Sequence, residues 1–183
     1  MSEIAITIDV ETDWGGRLKP SRNNMKGIIN GLSVLLELFN KNNINATFFI
    51  SSETINNAKK ELIEIGKYGH EIASHGHNHI DYSILSSAKY KKQILISKNI
   101  IEDNLNQKVT GFRSPQFRTN KNHFEVLAET GIKYDSSIVP SFFPGRYNNK
   151  LSLNNPYLIG PILEIPVSTF TIFNLPMGLK YIN

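Results

Sequence analysis

The sequence predicts an α/β fold with a parallel sheet, because short apolar strands alternate with segments whose apolar residues recur at helical spacing. The chain has 183 residues, of which 40% are hydrophobic and 20% are charged, as is ordinary for a soluble globular protein. The length and the lack of a linker predict a single domain over 1–183 with room for a hydrophobic core. Periodicity alone leaves open whether the sheet is open or closed into a barrel.

The first half of the pattern contains two strands and two helices. Alternating apolar residues predict a strand over Ile4–Val10, and helical spacing predicts a helix over about Met25–Lys41. Ala46–Ile50 is a short apolar strand of the kind that a parallel sheet buries on both faces. Ser51 or Ser52 is predicted to cap the helix that follows.

The alternation continues through the middle of the chain. Glu71–Ser74 is predicted as the third strand, and a long helix follows over about Ser86–Leu105. Val109–Arg113 is the fourth strand, and a helix over Asn120–Glu129 leads to the fifth strand at Lys133–Ser136.

The alternation breaks between Pro140 and Pro161, where Pro, Gly and Asn are frequent. We predict a long ordered loop here, and such loops inside compact domains are often functional. A sixth strand follows over Ile162–Val167.

Composition excludes several classes of protein. Twenty Lys and Arg against sixteen Asp and Glu give a net charge of +4, and the basic residues form no block, so we predict no nucleic-acid partner. The chain has no cysteine, which excludes disulfides and thiolate metal sites. No apolar run is long enough for a membrane span, and the N-terminus lacks the pattern of a signal peptide, which predicts a cytoplasmic protein.

Three histidines within five residues are the most distinctive feature of the sequence: His75, His77 and His79. They follow a predicted strand, and imidazole with carboxylate is the ligand set that zinc and similar divalent metals accept without a thiolate. The alternative is a polar loop with chance histidines, which we would favour for a single histidine. His70 and His123 lie outside the cluster, and we assign both a structural role.

Carboxylates follow the first strand. Asp9 and Glu11 alternate on a segment that is otherwise apolar, and a buried carboxylate pair is unfavourable unless a cation or hydrogen bonds compensate it. Beside the histidines, one could be a metal ligand and the other a general base; the alternative is that the strand has ended and both are solvated. Arg113, at the end of the fourth strand, could pair with one of them, and Asp135 could cap a turn.

Aromatic residues near these strand ends are candidates for the walls of a sugar site, although most such side chains belong to cores. They are Trp14, Phe117, Phe142 and Phe143.

Four ordered motifs carry a resemblance to a known family: Thr-Ile-Asp9-Val-Glu11, Gly-His-Glu-Ile-Ala-Ser-His75-Gly-His-Asn-His79, Gly-Phe-Arg113-Ser-Pro and Tyr-Asp135-Ser-Ser. The chain resembles the polysaccharide deacetylase family, also called the NodB homology domain or carbohydrate esterase family 4. The resemblance implies a distorted (β/α) barrel with one divalent metal, often Zn²⁺, held by an aspartate and two histidines.

The resemblance also implies roles for individual residues. Asp9 resembles the catalytic base, His75 and His79 resemble the metal histidines, and Arg113 resembles the arginine that holds the base. Asp135 resembles the acid that orients the family's catalytic histidine. The second acid lies one position later than usual, as in an Asp-Val-Glu subgroup, so Glu11 is expected to be the third ligand, with Asp13 in reserve.

The function implied is metal-dependent removal of an N-acetyl group from an amino sugar, with a carbohydrate as the partner. The family's general acid is a late histidine, and no histidine follows His123, so we expect the barrel to be incomplete at its C-terminus. Two alternatives stay open: a non-catalytic carbohydrate- or metal-binding barrel, and an allantoinase-like cyclic amide hydrolase. Formation of a homo-oligomer is also open.

Overall fold

The computed structural model describes residues 4–12, 25–144, 147–170 and 175–176, and they divide into two compact units. The first unit contains the residues up to His79 together with Gln93–Val109, and the second contains Ile80–Lys92 and the residues from Thr110 onward. Each unit combines parallel strands with helices, which confirms the predicted α/β class. Over these ranges, no helix is both long and apolar enough to cross a membrane.

The first unit is built on three parallel strands. In chain order its elements are β1 (Ile6–Val10), a π-helical turn (Gly27–Gly31), α1 (Leu32–Lys41), β2 (Ala46–Ile50), a 3₁₀ turn (Ser52–Thr54), α2 (Ile55–Lys67), β3 (Glu71–Ser74) and, from Gln93 on, α3 (Ser87–Leu105). β2 lies between β1 and β3 and is parallel to both. The register places Val10 opposite Ile50 and Ile50 opposite Ser74, so the three strands end level with one another.

The core of this unit lies around β2. Phe48, Phe49 and Ile50 are at most 1% exposed, because helices and neighbouring strands cover both faces of a parallel strand. The helices contribute apolar residues at helical spacing, such as Ile94 and Ile101 of α3, both fully buried. Burial of each such side chain stabilises the fold by about 1.5–3 kcal/mol.

The second unit contains a mixed sheet and two small hairpins. Its elements are a 3₁₀ turn (Tyr82–Ile84), β4 (Gly111–Phe112), a 3₁₀ turn (Pro115–Phe117), α4 (His123–Glu129), β5 (Tyr134–Asp135), β6 (Phe142–Phe143), β7 (Tyr147–Asn148), β8 (Tyr157–Ile159), β9 (Ile162–Glu164), β10 (Thr169–Phe170) and β11 (Leu175–Pro176). β5 pairs in parallel with β4 and with β9, and β8 runs antiparallel to β9. β6 pairs with β7, and β10 with β11, both antiparallel.

The predicted loop between Pro140 and Pro161 is wrong, because this segment contains the β6–β7 hairpin and strand β8. Two of the turn residues that suggested a loop instead close a hairpin. Gly160, with a φ of +58°, and Pro161 join β8 to β9, since Ile159 pairs with Ile162. The closure of the strands into a barrel stays a prediction from the resemblance.

Gly111 is expected to be required for packing inside the second unit. A Cβ atom at this position would overlap with the ring and hydroxyl of Tyr134 on the neighbouring strand. We expect Gly111→Ala to lower the free energy of unfolding by about 1–3 kcal/mol, the usual effect of overpacking. Gly31→Ala is the matched control, because among the described residues no atom lies within 4 Å of a Cβ there. Denaturant unfolding that gives Gly111→Ala the midpoint of the control would contradict this packing.

Candidate metal centre

The level ends of β1 and β3 bring a carboxylate and an imidazole to the same edge of the sheet. Glu11 directly follows the last residue of β1, and His75 directly follows the last residue of β3. Because β2 lies between these strands, two strand spacings of roughly 4.8 Å separate them, or roughly 9.6 Å in total. Side chains pointing toward each other can span that distance. Oε2 of Glu11 lies 3.6 Å from Nε2 of His75 and 2.7 Å from Nε2 of His79. One ligand atom from each of the three residues lies within 4.8 Å of the other two.

A tight turn after β3 brings both histidines to this point. Gly76 has a φ of +79°, in the left-handed region that favours glycine, and the backbone bends over 77–79 directly after it. The ring centroids of His75 and His79 are 5.9 Å apart. Their side chains are only 3% and 9% exposed, so the turn directs the buried imidazole of His75 and the mostly covered imidazole of His79 toward Glu11.

The electrostatics of this triad keep Glu11 ionised. Burial by itself would raise the pKa of Glu11, but hydrogen bonding and Coulombic attraction from His75 and His79 outweigh it and lower the pKa well below its usual range. The site therefore combines one anionic oxygen with two imidazole nitrogens.

This donor set fits a divalent cation. Zinc is bound at about 2.0–2.2 Å by imidazole and carboxylate, so neighbouring ligands in a tetrahedral site are roughly 3.4 Å apart, which is within the range of separations seen here. Three protein ligands leave a fourth position for water or substrate, as in catalytic zinc sites. Asp13, the reserve ligand, and Trp14 lie outside the described residues.

Asp9 lies on β1 beside a cleft of about 300 Å³ that Glu11 also lines. The side chain of Asp9 is exposed, and the other lining residues are apolar or glycine: Ile8, Val10, Gly27, Ile28, Gly31, Leu32 and Leu35. The volume is at the lower end of the range for small-molecule sites. The structure thus places the predicted base and one predicted ligand on the same cleft.

Arg113 and Asp135, the other predicted site residues, belong to the second unit. Arg113 is 5% exposed, and its Nε donates to the carbonyl oxygen of Ser136 at 2.9 Å while Nη2 donates to Ser136 Oγ at 2.7 Å. Its guanidinium carbon lies 5.7 Å from the ring centroid of Phe117. The hydrogen bonds and the ring hold this guanidinium in one orientation.

Asp135 is fully buried and does contact a histidine, but that histidine is His123. His123 Nε2 lies 2.8 Å from Asp135 Oδ2, and Tyr90 Oη lies 2.5 Å from His123 Nδ1. Ser137 Oγ donates to Asp135 Oδ1 at 2.7 Å. Burial raises and His123 lowers the pKa of Asp135, and the net direction is downward. His123 is buried, and its contact with Asp135 is one that the spacing of the sequence does not indicate.

Glu164 completes this cluster from β9. It is fully buried, and its Oε1 accepts a hydrogen bond from the amide of Ile138 at 3.0 Å. Burial, followed by the charge of Asp135, raises the pKa of Glu164 to about 11. Oε2 accepts no hydrogen bond, and when protonated it can donate to Asp135. Glu164 is therefore a neutral carboxylic acid at neutral pH.

Two other candidates make contacts outside the triad, and the sugar-site role of Phe142 stays a prediction. His70 packs against Phe39 and Phe48, and its Nδ1 accepts a hydrogen bond from the amide of Ala46. Phe142 is 47% exposed, with the ammonium of Lys150 4.8 Å from its ring centroid. Neither lies in the Glu11–His75–His79 triad.

Comparison with known proteins agrees with the architecture. The family model for polysaccharide deacetylases matches residues 29–134. A peptidoglycan deacetylase from Helicobacter pylori is 30% identical over 150 residues, which are 78% of this chain and 50% of that protein. The chain spans half or less of the length of the curated relatives that it matches.

Two solved structures show the same fold. A candidate polysaccharide deacetylase from Mycobacterium smegmatis has a TM-score of 0.74 at 26% identity, over 90% of this chain and 58% of that one. An allantoinase has a TM-score of 0.70 at 18% identity, over 90% of this chain and 61% of that one.

Proposed function

The chain belongs to the polysaccharide deacetylase family, and on that premise we propose that it is a zinc-dependent hydrolase that removes an N-acetyl group from an amino sugar. The observation that carries the proposal is the convergence of Glu11, His75 and His79 to within 4.8 Å of one another. The substrate would be a polysaccharide or its cytoplasmic precursor, in line with the sequence-based expectation of a cytoplasmic protein.

Glu11 Oε2 and the Nε2 atoms of His75 and His79 would hold the ion. When bound, zinc would lower the pKa of a water toward about 7 and polarise the acyl carbonyl. Glu11 contributes the negative charge that two neutral imidazoles lack.

Asp9 is the group in the cleft that can move a proton. Its carboxylate would accept the proton of the attacking water, as a general base. The leaving amine then needs a proton, and the described lining of the cleft beyond Asp9 and Glu11 is apolar or glycine. We infer that Asp9 also returns the proton it accepted to the leaving amine. Arg113 as a partner of the base and Asp135 as an orienting acid stay predictions from the resemblance.

The test combines metal analysis with product analysis. Purified protein reconstituted with zinc should hold one equivalent and release acetate from N-acetylated amino-sugar oligomers. His79→Gln should weaken zinc binding by more than about 100-fold and abolish acetate release, since loss of a direct ligand exceeds the effect of losing a supporting residue. Asn78→Ala, next to it but outside the triad, is the control.

The same assay separates the alternatives. Ring opening of a cyclic ureide without acetate release would replace the proposal with an allantoinase-like activity. Oligosaccharide binding without either reaction would indicate a binding module, and protein that holds no zinc after reconstitution would refute the proposed function.

A further inference from the structure

We propose that Ser52 and Ser97 are positioning residues that set the zinc affinity of the Glu11–His75–His79 site by fixing the backbone between the two histidines. The inference rests on the proposed function, since it concerns the affinity of the same site. Neither serine belongs to the triad, and both are at most 1% exposed.

Ser97 holds the residue that follows His75. It projects from α3, and its Oγ donates to the carbonyl oxygen of Gly76 at 2.8 Å and hydrogen bonds with Ser74 Oγ, also at 2.8 Å. Ser74 Oγ in turn accepts from the amide of Gly76 at 3.1 Å. Two buried hydroxyls therefore engage both backbone polar groups of Gly76, the residue with a positive φ that precedes the bends.

Ser52 holds the residue midway between the two histidines. Its backbone amide donates to Gly76 O at 3.0 Å, and its Oγ lies 2.8 Å from Nδ1 of His77. The carbonyl oxygen of His77 accepts from Ser51 Oγ and from the amide of Glu53, each at 3.1 Å. The predicted helix-capping role of Ser51 and Ser52 is wrong, because neither side chain makes a capping hydrogen bond. The hydroxyls hold the histidine turn instead.

The position of Ser97 supports a role beyond core packing. It lies between Ile94 and Ile101 on the face of α3 where both isoleucines are fully buried. An apolar residue would satisfy such a position, whereas a buried hydroxyl is unfavourable unless it is hydrogen bonded. Both hydrogen bonds of this hydroxyl go to the segment that carries His75 and Gly76.

The experiment measures zinc affinity and apo-protein stability separately. Competition with a chromophoric chelator should show zinc binding weakened by about 10- to 100-fold in Ser97→Ala and in Ser52→Ala, as for other residues that support metal ligands. Ile101→Val is the matched control, because it alters the same buried face of α3 without removing a polar group. We expect Ile101→Val to lower the stability of the metal-free protein by a similar amount but to keep its zinc affinity within about 2-fold of the wild type. The loss of one buried methyl group lowers the free energy of unfolding and removes no hydrogen bond from the histidine turn.

A second pair of variants tests the contact to His77 in case Ser97→Ala does not fold. His77→Asn places its Oδ1 near the position of the imidazole Nδ1 and should keep near-native affinity, whereas His77→Leu should lose it as Ser52→Ala does. If Ser97→Ala, Ser52→Ala and His77→Leu bind zinc as tightly as the wild type, the positioning role is overturned and the proposed function is left intact. A wild-type chain that binds no zinc would overturn both.

Discussion

Replacing Asp9 with asparagine is expected to lower the rate of deacetylation by at least about 1,000-fold while zinc binding stays within about 2-fold of the wild type. General base catalysis alone contributes about 100- to 10,000-fold, and here the same carboxylate would also return the proton to the leaving amine. Asparagine has the shape of aspartate but cannot accept that proton at neutral pH. Glu11, His75 and His79 are unchanged in the variant, so the ion keeps its three protein ligands.

The measurement is kcat/KM for acetate release from an N-acetylated oligomer, together with zinc stoichiometry on the same samples. Asp103→Asn, the same substitution at an exposed position of α3, serves as the control and should leave both quantities unchanged. Full activity in Asp9→Asn would exclude Asp9 as the base. If zinc were lost along with activity, Asp9 would be a ligand rather than a base.

The convergence of acidic and histidine side chains at the edge of the sheet could be predicted because its information is local. His75 and His79 are four positions apart in one turn, and Glu11 follows a strand whose apolar pattern is clear. Parallel strands place their carboxyl ends at one edge, so residues that follow β1 and β3 meet there even though 60 or more positions separate them. Strand direction was sufficient to bring these segments together, whereas the choice of Glu11, His75 and His79 as ligands came from the family resemblance.

The cluster around Asp135 could not be predicted in the same way. Its partners His123 and Glu164 come from α4 and β9, and no short spacing or periodicity links them. The strands concerned are only two or three residues long, too short for an alternating pattern to show. The best available signal was weak: α4 and β5 are joined by a short turn, which brings the first residue of the helix near the last residue of the strand.

The serines gave a misleading signal for a different reason. Ser51 and Ser52 precede a helix and have the residue type that favours caps. Local propensity does not reveal that a neighbouring turn offers other hydrogen-bond partners, and the hydroxyls hydrogen bond to His77 instead of capping the helix. Tertiary contacts decided the role of these side chains.

The wild-type protein is expected to lose stability steeply as the pH rises into the alkaline range, and Glu164→Gln is expected to abolish this loss. The pKa of Glu164 is raised from 4.5 to about 11 in the folded state. A raised pKa means that the folded protein holds a proton that the unfolded chain releases. The stabilisation is therefore complete below about pH 4.5 and is lost progressively as the pH rises toward 11. One linked proton gives a slope of about 1.4 kcal/mol per pH unit between these limits.

Glutamine reproduces the protonated acid without being able to ionise. Its carbonyl oxygen can accept from the amide of Ile138, as Glu164 Oε1 does, and its amide group can donate toward Asp135. The quantity to measure is the difference in unfolding free energy between Glu164→Gln and the wild type at pH 7, 8 and 9, because contributions from all other groups cancel in that difference. With each unit of rising pH, the unfolding free energy of Glu164→Gln should increase relative to that of the wild type.

The titration of Asp135 does not contribute to the pH dependence of stability between pH 7 and 9. Its pKa is lowered below 3.8, so its own contribution is present above that pH and is lost only as the pH falls through the lower folded value. Glu102→Gln provides the control, since Glu102 Oε1 also accepts from a backbone amide, that of Val109, but the side chain is partly exposed. Parallel stability curves for Glu164→Gln and the wild type from pH 7 to 9 would mean that Glu164 is ionised in the folded protein, and that Asp135 and Glu164 carry two buried negative charges compensated by His123 and Arg113.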